Sequence, residues 1–311
     1  MKENCLVNIP MCTFNHGKYI AQAIEGVLQQ RTNFDFQLII GEDCSTDNTR
    51  EIINNYIEQF PDKIKAVFHE QNIGAFENTR ILFEKCNSKY IALCDGDDYW
   101  TDACKLQKQI DFLEKNSDFS ICFHNAKIIF ENDSKNISYS NSRAQPEIST
   151  FEDIARGEFI YTSTCVFRSE NLMKFPKKYF LFMNNYTLDL HNAQYGKIRY
   201  LNEVMSVYRR HLGGIWSMVS REKTLINQLP TYKFYVNYFD KKFRKYFIKH
   251  LKDITAELIS IKIANNDFKD FWRYYIDYVV YNYNDKNELK KISYFFLKAS
   301  YSQISGLIKN K

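Results

Sequence analysis

The sequence predicts an α/β fold, a doubly wound and mostly parallel sheet with a C-terminal helical extension. Three observations carry that expectation. Strand-like and helix-like runs alternate through the first 130 residues in a βαβαβαβ order, and right-handed crossovers turn such an order into a parallel sheet. Acidic groups, Glu42-Asp43 and Asp95-Gly96-Asp97-Asp98, end the second and fourth strand-like runs. From about Leu229 onward the pattern is helical, aromatic and lysine-rich. The expected division is therefore 1–228 for the α/β part and 229–311 for the extension.

Leu6 to Cys12 reads as the first strand. Lys18 to Gln30 reads as a helix, with Ile20, Ala23, Ile24, Val27 and Leu28 on one face. Phe36 to Ile40 is the second strand. A helix from Asp47 to about Gln59 follows, capped by Ser45 or Thr46 and ended by Phe60-Pro61. Lys65 to His69, Ala75 to Cys86 and Tyr90 to Cys94 read as strand, helix and strand. After Trp100 the order changes. Lys105 to Lys115 is a helix, Phe119 to Phe130 a strand, and Glu131 to Pro146 a polar loop. Phe151 to Arg156 is a short helix and Ile160 to Phe167 a strand. Leu188 to Tyr195 looks helical, with Gly196 as its stop.

Composition narrows the class. The 311 residues are 45% hydrophobic and 25% charged, with 22 tyrosines and 25 phenylalanines. That is an ordinary globular make-up with ample core. A net charge of +5 permits contact with phosphorylated substrates or anionic lipid, but lacks the concentrated basic face of a nucleic-acid binder. The eight cysteines form no CxxC or zinc spacing, no signal peptide precedes the first strand, and no run of about 18 apolar residues could span a bilayer. A reducing cytoplasm is the expected location. The aromatic and lysine-rich segment from Tyr235 to Phe247 either makes peripheral contact with the inner face of the plasma membrane or, the favoured reading, packs its aromatic stripe on the α/β domain as a helical appendage.

The run Tyr90-Ile91-Ala92-Leu93-Cys94-Asp95-Gly96-Asp97-Asp98 carries the chemistry. Its three carboxylates cannot all stay ionised at close range without a cation. An oxygen-rich cluster of this kind suits Mg²⁺ or Mn²⁺, which keep open positions for substrate phosphates. Gly96 is expected to give the backbone a tight turn. In open α/β sheets ligands bind outside the carboxyl ends of the strands, where both acid groups fall.

Five segments in register resemble a family 2 glycosyltransferase of the GT-A fold. Val7 to His16 is similar to the opening strand and its TYN loop, and Gly41-Glu42-Asp43-Cys44-Ser45-Thr46-Asp47-Asn48-Thr49 to the DDxSxDxT signature. Asn72-Ile73-Gly74-Ala75 with Asn78 and Arg80 resembles NxGxxxARN, and Asp95-Gly96-Asp97-Asp98 the DxD element. Val207-Tyr208-Arg209-Arg210-His211 with Gly213-Gly214 resembles YRxHxGG. The resemblance runs from about Leu6 to Ser217. It implies transfer of a sugar from a nucleotide-diphosphate sugar, a UDP-sugar being favoured, to a glycan or lipid-linked acceptor in bacterial surface-glycan synthesis.

It further implies a nucleotide pocket drawn from Pro10, Thr13, Asn15, Glu42, Asp43, Asn72, Gly74 and Arg80. Asp43 would meet the base, Asp95 the ribose or sugar, and Asp97 and Asp98 the Mn²⁺ or Mg²⁺. Arg209 and His211 would meet the diphosphate, under a glycine-containing loop with Trp216. Family 2 enzymes usually invert the anomeric centre with an Asp base, and the matching position is Asn185, whose amide cannot accept a proton. Asp189, one helical turn on, is the replacement base, with His191 next. Otherwise the protein is a non-catalytic nucleotide- or glycan-binding module of the same fold. A nucleotidyltransferase is the other enzyme reading, but Asn15-His16-Gly17-Lys18 is too meagre for its phosphate loop.

Overall fold

Apolar strands alternating with one-sided helices assemble the sheet. The computed structural model describes residues 5–214, 219–282, 293–295, 297 and 298. β1 (Cys5–Thr13), α1 (Ile20–Leu28), β2 (Asp35–Glu42), α2 (Thr49–Gln59), β3 (Ile64–Phe68), α3 (Ala75–Lys85) and β4 (Tyr90–Ala92) follow in the expected order. Next come β5 (Tyr99–Trp100), α4 (Lys105–Lys115), β6 (Phe119–Phe130), β7 (Asp133–Tyr139), β8 (Ile148–Ser149), α5 (Phe151–Arg156), β9 (Val166–Arg168), α6 (Ser169–Met173), α7 (Asn185–Ala193) and β10 (Lys197–Arg210).

The strand order is β3-β2-β1-β4-β9-β6-β10-β5, with β7 on β6 and β8 on β10. The first four strands are parallel. Beyond them the sheet is mixed, because β9 runs antiparallel to both β4 and β6 while β10 is parallel to β6. Val7, Ile9 and Met11 of β1, Leu38 and Ile40 of β2, and Ile20, Ile24 and Val27 of α1 are buried in one core cluster with Trp100 and Leu106. Trp100 is a core residue. Its Nε1 donates to the Ser163 carbonyl at 2.9 Å.

Several segments differ from expectation. The polar stretch after Phe130 contains β7, an antiparallel partner of β6 whose exposed side chains leave no apolar alternation to read. Ile160 to Phe167 is not one strand. A 3₁₀ turn at Thr162–Thr164, fastened by the Thr164 hydroxyl on the Tyr161 carbonyl at 2.6 Å, precedes the three-residue β9. α2 begins only at Thr49, and neither Ser45 nor Thr46 caps it. α7 starts at Asn185, capped by the Asn184 side chain, and ends before Gly196.

The chain forms two compact units, residues 1–212 and 213–311, and α8 (Arg221–Tyr238) runs across the expected 228/229 boundary. In the second unit α8, α9 (Arg244–Ala264) and α10 (Phe268–Asn282) bury Leu225, Leu229, Leu251, Leu258, Phe271 and Tyr278 together. The aromatic stripe turns inward. Tyr235 and Phe239 lie 5.3 and 5.4 Å from Phe247 by ring centroids. Among the described residues no helix is long and apolar enough to cross a membrane.

Candidate active site

The site lies where β1, β2 and β4 end and where β10 returns. On β1 the N–H of Asn8 bonds the Ser88 hydroxyl at 2.7 Å, and the carbonyl of Cys12 accepts the N–H of Gly96 at 2.9 Å. Pro10, between them, has no N–H to give, and the β1–β4 register stops at Asn8. Pro10 is itself buried in the strand.

Two loops are laced together at these strand ends. Asn15 and Cys44 both adopt left-handed backbone, with φ of 55° and 60°. Asn15 Oδ1 accepts the Thr46 N–H at 2.8 Å, and the Asn15 N–H donates to the Ser45 hydroxyl at 2.9 Å. Asp43 is buried, and its carboxylate accepts the N–H groups of Ile73 and Gly74 at 2.8 and 2.9 Å. Gly74 supports this with φ of 85°, a conformation glycine adopts without strain. Asn72 Oδ1 closes the same turn on the Gly74 N–H at 3.1 Å. Asp43 still has a free lone pair on each oxygen for a ligand.

Two residues expected at the nucleotide are occupied otherwise. Glu42 is fully buried, accepting the Ser45 N–H and Arg50 Nε at 2.6 Å each. Arg80 is held by Glu77 and Glu84 on its own helix. These two support loops and helix surface, and their charges are already paired.

The acid turn separates its three carboxylates by role. A Cβ on Gly96 would meet Thr13 Oγ1 at 2.8 Å and His16 Nδ1 at 3.0 Å, so glycine is needed here for close approach and not for a special φ. The Asp95 carbonyl accepts the Asp98 N–H at 3.1 Å, whereas burial, then Asp97, push its carboxyl up to about 7. Asp97 Oδ2 lies 3.1 Å from His211 Nε2 and 3.8 Å from His16 Nε2. Burial opposes its ionisation, but the two imidazoles hold its carboxyl below the ordinary range. Asp98 turns inward and accepts the backbone N–H of Arg209 at 2.9 Å. Burial and Asp97 push it well above the usual carboxylate range.

The cation site expected of Asp97 and Asp98 is therefore rearranged. His16, Asp97 and His211 bring one ligand atom each within 4.8 Å of one another, and Asp98 is not among them. Burial lowers the His16 pKa, keeping it a neutral donor. His16 Nδ1 and Thr13 Oγ1 are buried without a hydrogen-bond partner among the described residues, which is what a site awaiting a ligand or ion leaves behind. A carboxylate with two imidazoles fits Mn²⁺ better than Mg²⁺, which prefers all-oxygen ligands. His16 escaped the sequence reading. The available signal was its place just beyond β1, the strand beside the acid turn.

Arg209 is not free to meet a diphosphate. Its Nη1 donates to the Asp97 carbonyl at 2.6 Å and its Nη2 to Gln22 Oε1 at 2.7 Å, and the guanidinium lies over Tyr19 and Tyr99. It braces the acid turn from below. Trp216 lies outside the described residues.

The expected base fails on access. Asp189 is 2% exposed, contacts the Cys165 thiol at 3.7 Å, and is pushed well above its range by burial and then Glu158. A general base must reach the proton it takes, and this carboxyl faces the core. His191 is buried as well, with Nε2 2.7 Å from the Asn171 carbonyl. Asn185 stands half-open at the first turn of α7, and its amide donates to the Thr162 hydroxyl. Glu158, just after α5, is open to solvent yet so flanked by protein that burial pushes its carboxyl up to about 7.

The glycosyl transferase family 2 profile matches residues 9–212, and the chain belongs to that family. An uncharacterised protein of Mycobacterium tuberculosis is 34% identical over 211 residues, 68% of this chain, and this match spans 60% of that relative's length. The putative teichuronic acid biosynthesis glycosyltransferase TuaG of Bacillus subtilis is 35% identical over 112 residues, 36% of this chain and 43% of that one. Among solved structures, S. aureus TarS 1-349 in complex with UDP superposes with a TM-score of 0.64 at 15% identity, covering 96% of this chain and 88% of that one. The mannosyltransferase PcManGT of Pyrobaculum calidifontis, in complex with GDP-Man and Mn²⁺, gives 0.53 at 11% identity over 97% and 88%. At these identities the likeness establishes the fold, a GT-A type.

Proposed function

We propose that this protein transfers a sugar from a nucleoside-diphosphate sugar to an acceptor hydroxyl in bacterial surface-glycan assembly, with inversion at the anomeric carbon. The observation that carries the reading is the meeting of His16, Asp97 and His211 beside Asp95 and Asp43 at the strand ends. His16, Asp97 and His211 would hold a divalent cation, Mn²⁺ by their donor set, which would offset charge on the departing diphosphate. Asp43 and the Asn72–Gly74 turn receive the base, and Asp95 the ribose or sugar. The UDP complex of a protein with this fold supports uridine as the nucleoside, and the relative named for teichuronic acid biosynthesis supports a surface glycan as the product.

In this reading Glu158 is the general base in place of Asp189. It follows α5 in the segment leading to Thr162, whose hydroxyl receives the Asn185 amide, and its charge reaches Asp189. The acceptor hydroxyl gives its proton to Glu158 as its oxygen bonds the anomeric carbon. The bond to the diphosphate breaks, and its electron pair leaves with the phosphate oxygen. A carboxyl near 7 is well matched to that step.

The test is a thermal-shift screen of nucleotide-sugars with and without Mn²⁺, because a ligand of the native state raises apparent stability by mass action. Release of nucleoside diphosphate on adding acceptor follows. Donor binding with turnover supports the transferase. Binding with no turnover for any pair supports the second reading, a binding module, which the amide at Asn185 favours.

A further inference from the structure

Between α6 and α7 the chain presents a surface that the transfer chemistry leaves unused. Met173 is 87% exposed and Leu181 81%, values far above what single apolar side chains need for packing. The loop bearing them is firmly anchored. Phe175 is buried, with its ring 5.7 Å from Phe180 and 5.1 Å from His191, both edge-on. Lys174, Lys177 and Lys178, which lie between the two apolar residues in sequence, are exposed, and Glu170 is the only acid from 169 to 182. Lys174 Nζ lies 4.4 Å from the ring centre of Tyr195, itself 43% exposed, which joins α7's far end to the same patch. The Thr187 hydroxyl donates to the Phe182 carbonyl at 2.6 Å, so the loop runs without slack into α7's first turn and Asn185.

We propose that this loop is a docking surface for an anionic lipid bilayer, Met173 and Leu181 entering the interface and Lys174, Lys177 and Lys178 meeting the headgroups. Exposed apolar residues with lysines between them in sequence match an interface that is apolar below and negative above, whereas a protein-facing patch would be depleted of lysine. Docking here brings the acceptor side of the site to the surface where a lipid-linked acceptor resides. That last consequence rests on the proposed transferase reading, but the docking itself does not.

The experiment is flotation of the full chain with vesicles of phosphatidylcholine alone or mixed with phosphatidylglycerol, at low and high salt. Binding is expected only to the anionic vesicles and should weaken with salt. Met173→Asp with Leu181→Asp should lower partitioning about tenfold or more, and Lys177→Gln about fivefold. Thermal unfolding and the stabilisation by UDP with Mn²⁺ should stay unchanged, which separates this result from a damaged fold or a wrong nucleotide assignment. Absence of wild-type binding overturns the proposal, as does equal binding by the double variant. A dimer in sedimentation that the double variant breaks, without vesicle binding, makes the face a protein interface and also overturns it.

Discussion

The Asp98 carboxylate accepts the backbone N–H of Arg209 at 2.9 Å. This bond fixes the acid turn to the end of β10, and the antiparallel pairing of Trp100 with Ser206 and Tyr99 with Val207 continues the join. The two neighbouring acids should therefore respond oppositely to mutation. Asp98→Ala leaves a buried N–H unsatisfied and should cost about 1–3 kcal/mol of stability by urea unfolding. Asp97→Ala should leave the unfolding midpoint nearly unchanged and remove Mn²⁺-dependent UDP binding by calorimetry. A reversed pattern would assign the cation to Asp98.

His16→Ala tests the ligand missed in the sequence. It should weaken Mn²⁺ binding by at least the about 10–100-fold that loss of even an outer-shell partner costs at metal sites. Titration calorimetry with Mn²⁺ alone reads this directly. Unchanged affinity in His16→Ala alongside a loss in His211→Ala would reduce the site to Asp97 and His211.

Asp43→Ala removes the acceptor for two N–H groups, those of Ile73 and Gly74. Nucleotide affinity should fall by about 1–3 kcal/mol, with or without metal. Asp43→Asn keeps one acceptor oxygen and should retain more of the turn but little of the base recognition. If both variants bind UDP as the wild type does, the base sits elsewhere.

Glu158→Gln should lower kcat about 10²–10⁴-fold with the donor KM nearly unchanged. The sign of the pH dependence follows from its raised carboxyl. The competent, ionised form grows as pH rises through about 7, so wild-type turnover should climb across that range and the variant should lack the limb. Asp189→Asn should change turnover little. A collapse in Asp189→Asn with Glu158→Gln unaffected would restore Asp189 as the base.

Lys105 is a stability site. Its ammonium is fully buried over the Trp100 ring at 3.9 Å, its Nζ has no hydrogen-bond partner among the described residues, and burial lowers its pKa to about 7. Between about 7 and the ordinary lysine range the unfolded chain binds a proton that the folded one does not, so this group's effect favours folding as pH rises there. Lys105→Met should be more stable than wild type at neutral pH and should flatten that rise. Denaturant midpoints at several pH values test it, and a loss of stability in Lys105→Met would mean the amine's packing outweighs its desolvation.

The first half of the sheet was legible because each of its strands and helices carries its own periodic signal, from Ile20, Ala23, Ile24 and Val27 to Leu38 and Ile40. β7 was not, since an edge strand with exposed side chains has no apolar alternation to announce it. At the site, the acid turn could be recognised by its charge density alone. The sorting of Asp95, Asp97 and Asp98 into different partners could not, because it depends on which side of the turn β10 arrives. The protein partners of Arg209 and Glu42 were not legible for a related reason. A charged side chain in a family motif can serve the scaffold as readily as the ligand, and only its partners in space tell which.

The three prospective cation ligands stand at positions 16, 97 and 211, and β10 must complete its long pairing with β6 before the last of them is in place. During synthesis, then, a nascent chain holding everything through the acid turn still has no closed cation centre. The three-residue centre is complete only once residue 211 is made and β10 has joined the sheet. On the proposed reading, a truncated product ending before that point would carry the loops around Asp43 and Asp97 without a complete cation site.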